Sequence, residues 1–232
     1  MTIRCSVIPA TIVPFHLSMN SSVNHNGVGG SPADTQSVIA TIKAELHAAM
    51  NGVASTFIRE SGMSYKLCYG VELPRLREIA AEFTPDRRLA QVLWQENIRE
   101  CKLLAVLLYP SDEFHEDMAV IWADELVPQQ TEVAQFLCME LLSPQPYASE
   151  LAFRWMAEEK DMHQLCAFLI LGRLLLQGVC FSPTAEEEFL DQAGATLPTT
   201  FLPLRKAVTN ALLHLAEKDN ITKRKVNQLL HM

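Results

Sequence analysis

The side chains best suited to acid–base chemistry lie around His163. Glu158, Glu159 and Asp161 precede this histidine closely, so an imidazole and a carboxylate could share a proton-transfer role. The same residues also fit the solvated start of a helix, in which Asp161 caps a free backbone N–H with capping-box spacing to Gln164. We favour the helix-start interpretation, because acidic residues are common in that position.

No motif for metal or covalent chemistry accompanies this cluster. Phe114-His115-Glu116 lacks the second histidine of a zinc-protease helix, and the six cysteines form no Cys-x-x-Cys pair. Most cysteines lie in apolar helical sequence, as Cys101 does beside Leu103, which is typical of reduced thiols in a cytoplasmic protein. The sequence therefore predicts a cytoplasmic protein with no metal and no cofactor.

Charge is distributed unevenly along a chain whose net charge is −8. Residues 112–161 include 12 acidic and two basic side chains, whereas residues 203–232 include six basic and two acidic ones. A polyanion would therefore meet the C-terminal end, or the Arg87-Arg88 pair, before the middle. The last basic run equally fits a solvated final helix. The candidate DNA-binding residues are Arg87, Arg88, Arg205, Lys206, Lys223, Arg224 and Lys225.

Helices must position these side chains. Apolar residues recur every three to four positions from Asp34 onward, and the alternation typical of strands is missing. Ser182-Pro183 and Thr84-Pro85 each pair a helix N-cap with a proline at the first helical position. Glycine and proline breaks separate about eleven helices. The sequence predicts an all-α fold.

Three tryptophans suggest that the helices repeat in pairs. Trp94, Trp122 and Trp155 recur at intervals of 28 and 33 residues, which suits a helical-repeat α-solenoid. Each tryptophan is expected to anchor the core where two helices of a pair meet. Residues 1–33 are expected to be a disordered tail or a misannotated start, and residues 34–232 one repeat domain. The longest apolar run, residues 165–176, is too short to cross a membrane.

Residues 69–110 carry a more specific pattern. They read YGVELPRLREIAAEFTPDRRLAQVLWQENIRECKLLAVLLYP, with Gly70-Val71, Leu93-Trp94 and Arg99-Glu100 in an order that resembles the DNA alkylation repair family, the AlkD-like HEAT-repeat glycosylases. Residues 204–208 resemble a late helix of that family, with a basic entry and an apolar interior. The resemblance covers residues 65–230.

The resemblance implies a fold, a ligand and a reaction. AlkD-like enzymes are curved stacks of HEAT-like helices whose concave, basic face holds duplex DNA. They excise positively charged alkylpurines by cutting the N-glycosidic bond. An aspartate stabilises the cationic sugar that develops, and an arginine and aromatic rings flank the lesion.

This sequence departs from the family pattern at each of these positions. The expected aspartate falls on Gln135 or Phe136, depending on the register, and no tryptophan accompanies it. The expected arginines fall near Gln164, and the late tryptophan falls on Asn210. The nearest carboxylate is Glu132, one turn out of place.

Three functions follow as hypotheses. The leading one is a DNA-binding HEAT-repeat scaffold that holds DNA, in a distorted or branched form, along its concave face without base excision. The second is an active alkylpurine glycosylase that uses Glu132. The third is a protein–protein interaction scaffold, which the acidic middle of the chain would suit.

Overall fold

The computed structural model describes residues 32–62 and 65–231. Within these residues the fold is all-α, with twelve α-helices and one isolated bridge between Leu67 and Ile98. The predicted all-α class, with about eleven helices, is therefore confirmed. Residues 1–31, most of the predicted N-terminal tail, lie outside the described residues.

The twelve helices are joined by short turns and 3-10 segments. Their bounds are α1 Pro32–Ala48, α2 Gly52–Glu60, α3 Leu73–Ala81, α4 Arg87–Gln95, α5 Arg99–Leu108, α6 Glu116–Asp124, α7 Thr131–Leu137, α8 Ala148–Met156, α9 Asp161–Leu176, α10 Pro183–Thr196, α11 Leu202–Ala216 and α12 Asn220–Leu230. A π-helical turn, Cys138–Leu142, extends α7. No helix of the described residues is both long and apolar enough to span a bilayer.

The helices form two layers. In the first layer, α3, α5, α7, α9 and α11 pack side by side in chain order. The second layer comprises α4, α6, α8 and α10, which pack against α5, α9 and α11 of the first layer. Helix α12 closes the C-terminal end against α11, and α1 packs on α4. This is the stacked helix-pair arrangement that the sequence predicts.

The tryptophans anchor the core, as predicted. All three are buried. Trp94 and Trp122 stack in parallel with ring centroids 4.0 Å apart, and the Trp94 indole N–H donates to Glu125 at 2.7 Å. Trp155 packs against the ring of His163. The indoles therefore anchor the contact between α4 and α6 and the contact between α8 and α9.

The two predicted proline caps have different outcomes. Ser182 caps α10 as expected, because its hydroxyl accepts a hydrogen bond from the Ala185 N–H at 3.2 Å. The predicted cap at Thr84-Pro85 is wrong. Asp86 caps α4 instead, and its carboxylate accepts from the Leu89 N–H at 2.7 Å. An aspartate that directly precedes the helix displaces the earlier threonine as the cap.

Gly70 allows the segment between α2 and α3 to lie against α2. Its φ of 73° is in the left-handed region. A Cβ atom at this position would lie 2.4 Å from the Asn51 carbonyl oxygen and 2.5 Å from the Ser55 nitrogen. These are backbone atoms that cannot move aside, so only glycine fits.

Replacing Gly70 with alanine should lower the free energy of unfolding by about 3 kcal/mol, through left-handed strain and a steric clash together. Gly178→Ala is the matched control, since Gly178 has a φ of 87° but nothing within 4 Å of the added Cβ. That control should cost roughly 1 kcal/mol. Urea unfolding measures both, and equal losses would show that the neighbouring backbone does not constrain position 70.

Candidate nucleic-acid interface

Three helices of the first layer border a groove made of two adjoining cavities. The cavities, each about 280 Å³, lie between α7 with its π-turn, α9 and α11. Gln135 of α7 and Asn210 of α11 line both cavities, and Leu169 and Ala207 lie between them. We call this the amide groove. The structure thus brings together two of the positions that the resemblance singled out.

Helical spacing explains why these side chains reach the groove. Gln135 is exposed between the buried side chains of Ala134 and Phe136. On α11, Lys206 and Asn210 are one turn apart and share an exposed stripe beside buried Ala207. Phe136, the alternative register for the expected aspartate, is buried with the Arg77 guanidinium 5.5 Å from its ring centroid. Of the two registers, only Gln135 lines the groove.

Gln164, the third position that the resemblance singled out, is not among the lining residues of the groove. It lies in the first turn of α9, and its amide donates to the Met156 carbonyl at 3.4 Å. The position therefore links α9 to the end of α8.

Glu132 is held in an ion pair. The Arg99 guanidinium donates to its two carboxylate oxygens at 2.6 Å each, and Arg99 is itself buried. A third guanidinium nitrogen atom donates to Glu100 and to the Val71 carbonyl, both at 3.0 Å. This bidentate pairing is the strongest geometry available to a carboxylate and an arginine.

Glu100 is fully buried and forms the centre of this network. It accepts hydrogen bonds from the backbone N–H groups of Tyr69, Gly70 and Val71 at 2.9–3.3 Å. The Cys68 thiol also donates to it, at 3.5 Å. Burial, reinforced by the negative charge of Glu100, raises the pKa of Cys68 to about 11. The thiol therefore stays protonated at neutral pH and is a poor nucleophile.

Helix α9 begins at Asp161 as expected, with Glu159 and Asp161 exposed, but His163 in its first turn is buried rather than solvated. Its side chain is 3% exposed, with Nδ1 2.7 Å from Glu158 and Nε2 3.1 Å from Asp124 of α6. Glu159 and Asp161 make no contact of this kind, and Asp161 does not cap α9. Asp124 is remote in sequence, so the local pattern could not reveal it. The arrangement ties α6, α8 and α9 together.

The seven predicted DNA-binding residues do not gather in one groove. Lys206 lines the amide groove. Arg88 lines a cavity between α1 and the turn before α4, and Arg205 lines another between α10, α11 and α12. Arg87 is exposed at the start of α4. The basic run on α12 is exposed, namely Lys223, Arg224 and Lys225.

Arg173 is a groove residue that the sequence analysis passed over. It lines the amide groove from α9 and is exposed. In the sequence it appears only as an interruption of an apolar run. An isolated cation inside such a run is itself a signal, because it must reach solvent or a partner.

Arg173 and the seven predicted cations share one electrostatic property. None of them forms an ion pair with a carboxylate of the described residues. The two cations of the acidic middle are instead engaged, Arg154 with Glu116 and Lys160 with Asp124. All seven cations predicted to meet a polyanion, and Arg173 with them, are therefore free of competing carboxylates.

Metal ligands do not converge in this part of the molecule. Across residues 32–62 and 65–231, no group of three histidine, cysteine or acidic side chains could hold a metal ion. The free cysteines include four buried ones and the exposed Cys180.

The layered stack and the groove between its neighbouring helices define a HEAT-like helical repeat protein. One solved structure with this fold aligns over 82% of this chain and 80% of its own, with a TM-score of 0.68 and 18% sequence identity. It represents a new family of proteins related to the HEAT-like repeat DNA glycosylases with affinity for branched DNA structures. At this level of identity the comparison shows a shared fold.

The sequence itself matches the family of DNA alkylation repair enzymes over residues 42–225. The chain belongs to this family. The search among curated proteins found no match. The resemblance in the sequence is thus confirmed at the level of family and fold.

Glu100→Gln should lower the free energy of unfolding by about 3 kcal/mol, because it removes the charge that pairs with buried Arg99 and orders residues 68–71. Chemical denaturation measures the loss. Glu78→Gln is the control, since Glu78 pairs with Arg75 at the surface at 2.9 Å and should leave stability unchanged. A Glu100 variant as stable as the control would contradict the structural role of the network.

Proposed function

We propose that this protein binds DNA, including branched DNA, across its first layer without cutting the N-glycosidic bond. The observation that carries the proposal is the composition of the amide groove. Two amide side chains line it where the family resemblance expects a carboxylate and an indole, and the basic side chains around it are free. DNA is accordingly the proposed partner, and no cofactor is required.

Charge supports DNA as the ligand. Lys206 and Arg173 line the groove, and none of the groove's lining residues is acidic in a chain with a net charge of −8. Phosphate groups dominate the affinity of proteins for DNA, and free lysine and arginine side chains are the groups that bind them. Family membership and the relative with affinity for branched DNA point to the same ligand.

The position of Glu132 supports binding without excision. An oxocarbenium-like sugar requires a nearby carboxylate to counter its developing charge. The carboxylate one turn from Gln135 is that of Glu132. Both of its oxygen atoms accept hydrogen bonds from the Arg99 guanidinium. Freeing it would leave a buried guanidinium with half of its partners, at a cost of about 3 kcal/mol or more.

Acidic side chains on two helices of the second layer favour one orientation of the complex. Helices α6 and α8 carry four of the 12 acidic residues of 112–161, namely Glu116, Asp117, Asp124 and Glu150. Repulsion between phosphates and this surface leaves the opposite side for DNA. The same surface is what a protein-scaffold function would use, so a protein partner that binds there is compatible with DNA on the first layer.

Binding to a four-way junction and to a matched duplex should weaken steeply as salt rises, because phosphate contacts release counterions. Lys206→Ala should reduce the salt slope by about one, and alanine at Lys223, Arg224 and Lys225 together by up to about three. Fluorescence anisotropy over a salt series measures both. Lys160→Ala, which breaks a pair with Asp124 in the second layer, should match the wild type. Affinity that does not change with salt would remove DNA as the ligand.

The chain should release no methylated purine from alkylated DNA above the uncatalysed rate, because no described carboxylate lines the groove. Chromatographic detection of free base measures the release. If base is released, and release is lost in Glu132→Gln while folding and DNA binding persist, then Glu132 supplies the chemistry and the protein is a glycosylase.

A further inference from the structure

The amide groove is a small cleft. Its two cavities share four lining residues and each measures about 280 Å³, just below the range that encloses drug-sized ligands. The packing of α9 on α11 forms the floor of the groove. A Cβ added to Gly172 would lie 3.4 Å from the Cβ of Ala211, so these two helices approach closely.

The base of the groove is apolar. Leu169 and Ala207 lie between the two cavities, and Met139 and Leu176 extend the apolar surface at one end. Met139 is 37% exposed and Leu176 57% exposed. Phosphate contacts alone would leave this surface in water, whereas a flat ring placed on it would cover it.

The edges of the groove supply unused hydrogen-bonding groups. Neither Gln135 nor Asn210 makes a side-chain hydrogen bond to a described residue, and both are exposed. Each amide offers one carbonyl acceptor and two N–H donors. This is the pattern with which asparagine and glutamine pair with the edge of a nucleobase.

We infer that the amide groove receives an unpaired nucleobase of bound DNA, an inference that rests on the proposed DNA-binding function. The ring lies against Leu169 and Ala207, and the edge of the base pairs with the amides of Gln135 and Asn210. Lys206 and Arg173 bind the phosphates on either side. The groove thus selects an uncharged nucleobase that is no longer paired or stacked in the DNA duplex.

The lining residues explain why a neutral base fits better than an alkylated one. A cationic base is held by aromatic faces and by negative charge. The groove has no carboxylate, its phenylalanine, Phe168, is buried, and its other aromatic side chain is the partly buried imidazole of His214. The amide side chains and the apolar floor of the groove match an uncharged nucleobase. Branched DNA exposes such bases wherever pairing is incomplete.

The test compares three labelled oligonucleotides by anisotropy. One is a fully paired duplex, the second carries a single unpaired adenine, and the third carries an abasic site at the same bulge. We expect the wild type to bind the adenine bulge roughly tenfold more tightly than the abasic bulge, because the two differ only in the base. The double variant Gln135→Leu, Asn210→Leu should lose this preference and bind the adenine and abasic bulges equally.

Gln129→Leu is the matched control, because Gln129 is exposed and does not line the groove. It should keep the full preference. Equal affinity of the wild type for the adenine and abasic bulges overturns the inference while the proposed DNA binding stands, and this comparison needs no variant. A preference that survives in the double variant also overturns it. Salt-independent or absent binding to all three oligonucleotides overturns the proposed function itself.

Discussion

A buried carboxylate needs hydrogen-bond donors, and Glu100 obtains five of them from two directions. Four come from residues 68–71, and the fifth comes from Arg99 beside it. Arg99 extends the network to Glu132 at the start of α7. Since an uncompensated charge in the interior is strongly unfavourable, the loop, α5 and α7 must keep one arrangement. The order of the first layer, and therefore the groove at α7, depends on it.

This network also holds the Glu132 carboxylate of α7 away from the groove. Glu132 and Gln135 are about one turn apart on α7, and Thr131, which precedes Glu132, lines one of the cavities. The carboxylate turns toward Arg99, while the amide faces α9 and α11. A helix that contributes both a structural charge and a neutral recognition group can hold a ligand without placing negative charge beside it.

The sequence predicted what depends on local spacing. Apolar periodicity predicted the helices, and the spacing of the tryptophans predicted the core anchors. Ser182 was predicted correctly as a helix cap. The prediction at Thr84-Pro85 was wrong because two cap candidates lay two residues apart, and the competition between them is decided by which backbone N–H groups each can reach. The burial of His163 escaped prediction for another reason, since its partner Asp124 comes from a different helix pair. Gln135 and Asn210 were singled out by resemblance, but their shared groove depends on how α7, α9 and α11 cross.

The parallel indoles of Trp94 and Trp122 have a consequence for spectroscopy. At a centroid separation of 4.0 Å and an interplanar angle of 4°, the two rings are in direct contact, so their absorption and emission respond together to any separation of α4 from α6. Trp155 packs against His163 instead and emits from a different environment. The unmodified protein therefore carries two optical reporters, one for the interface between α4 and α6 and one for the interface between α8 and α9.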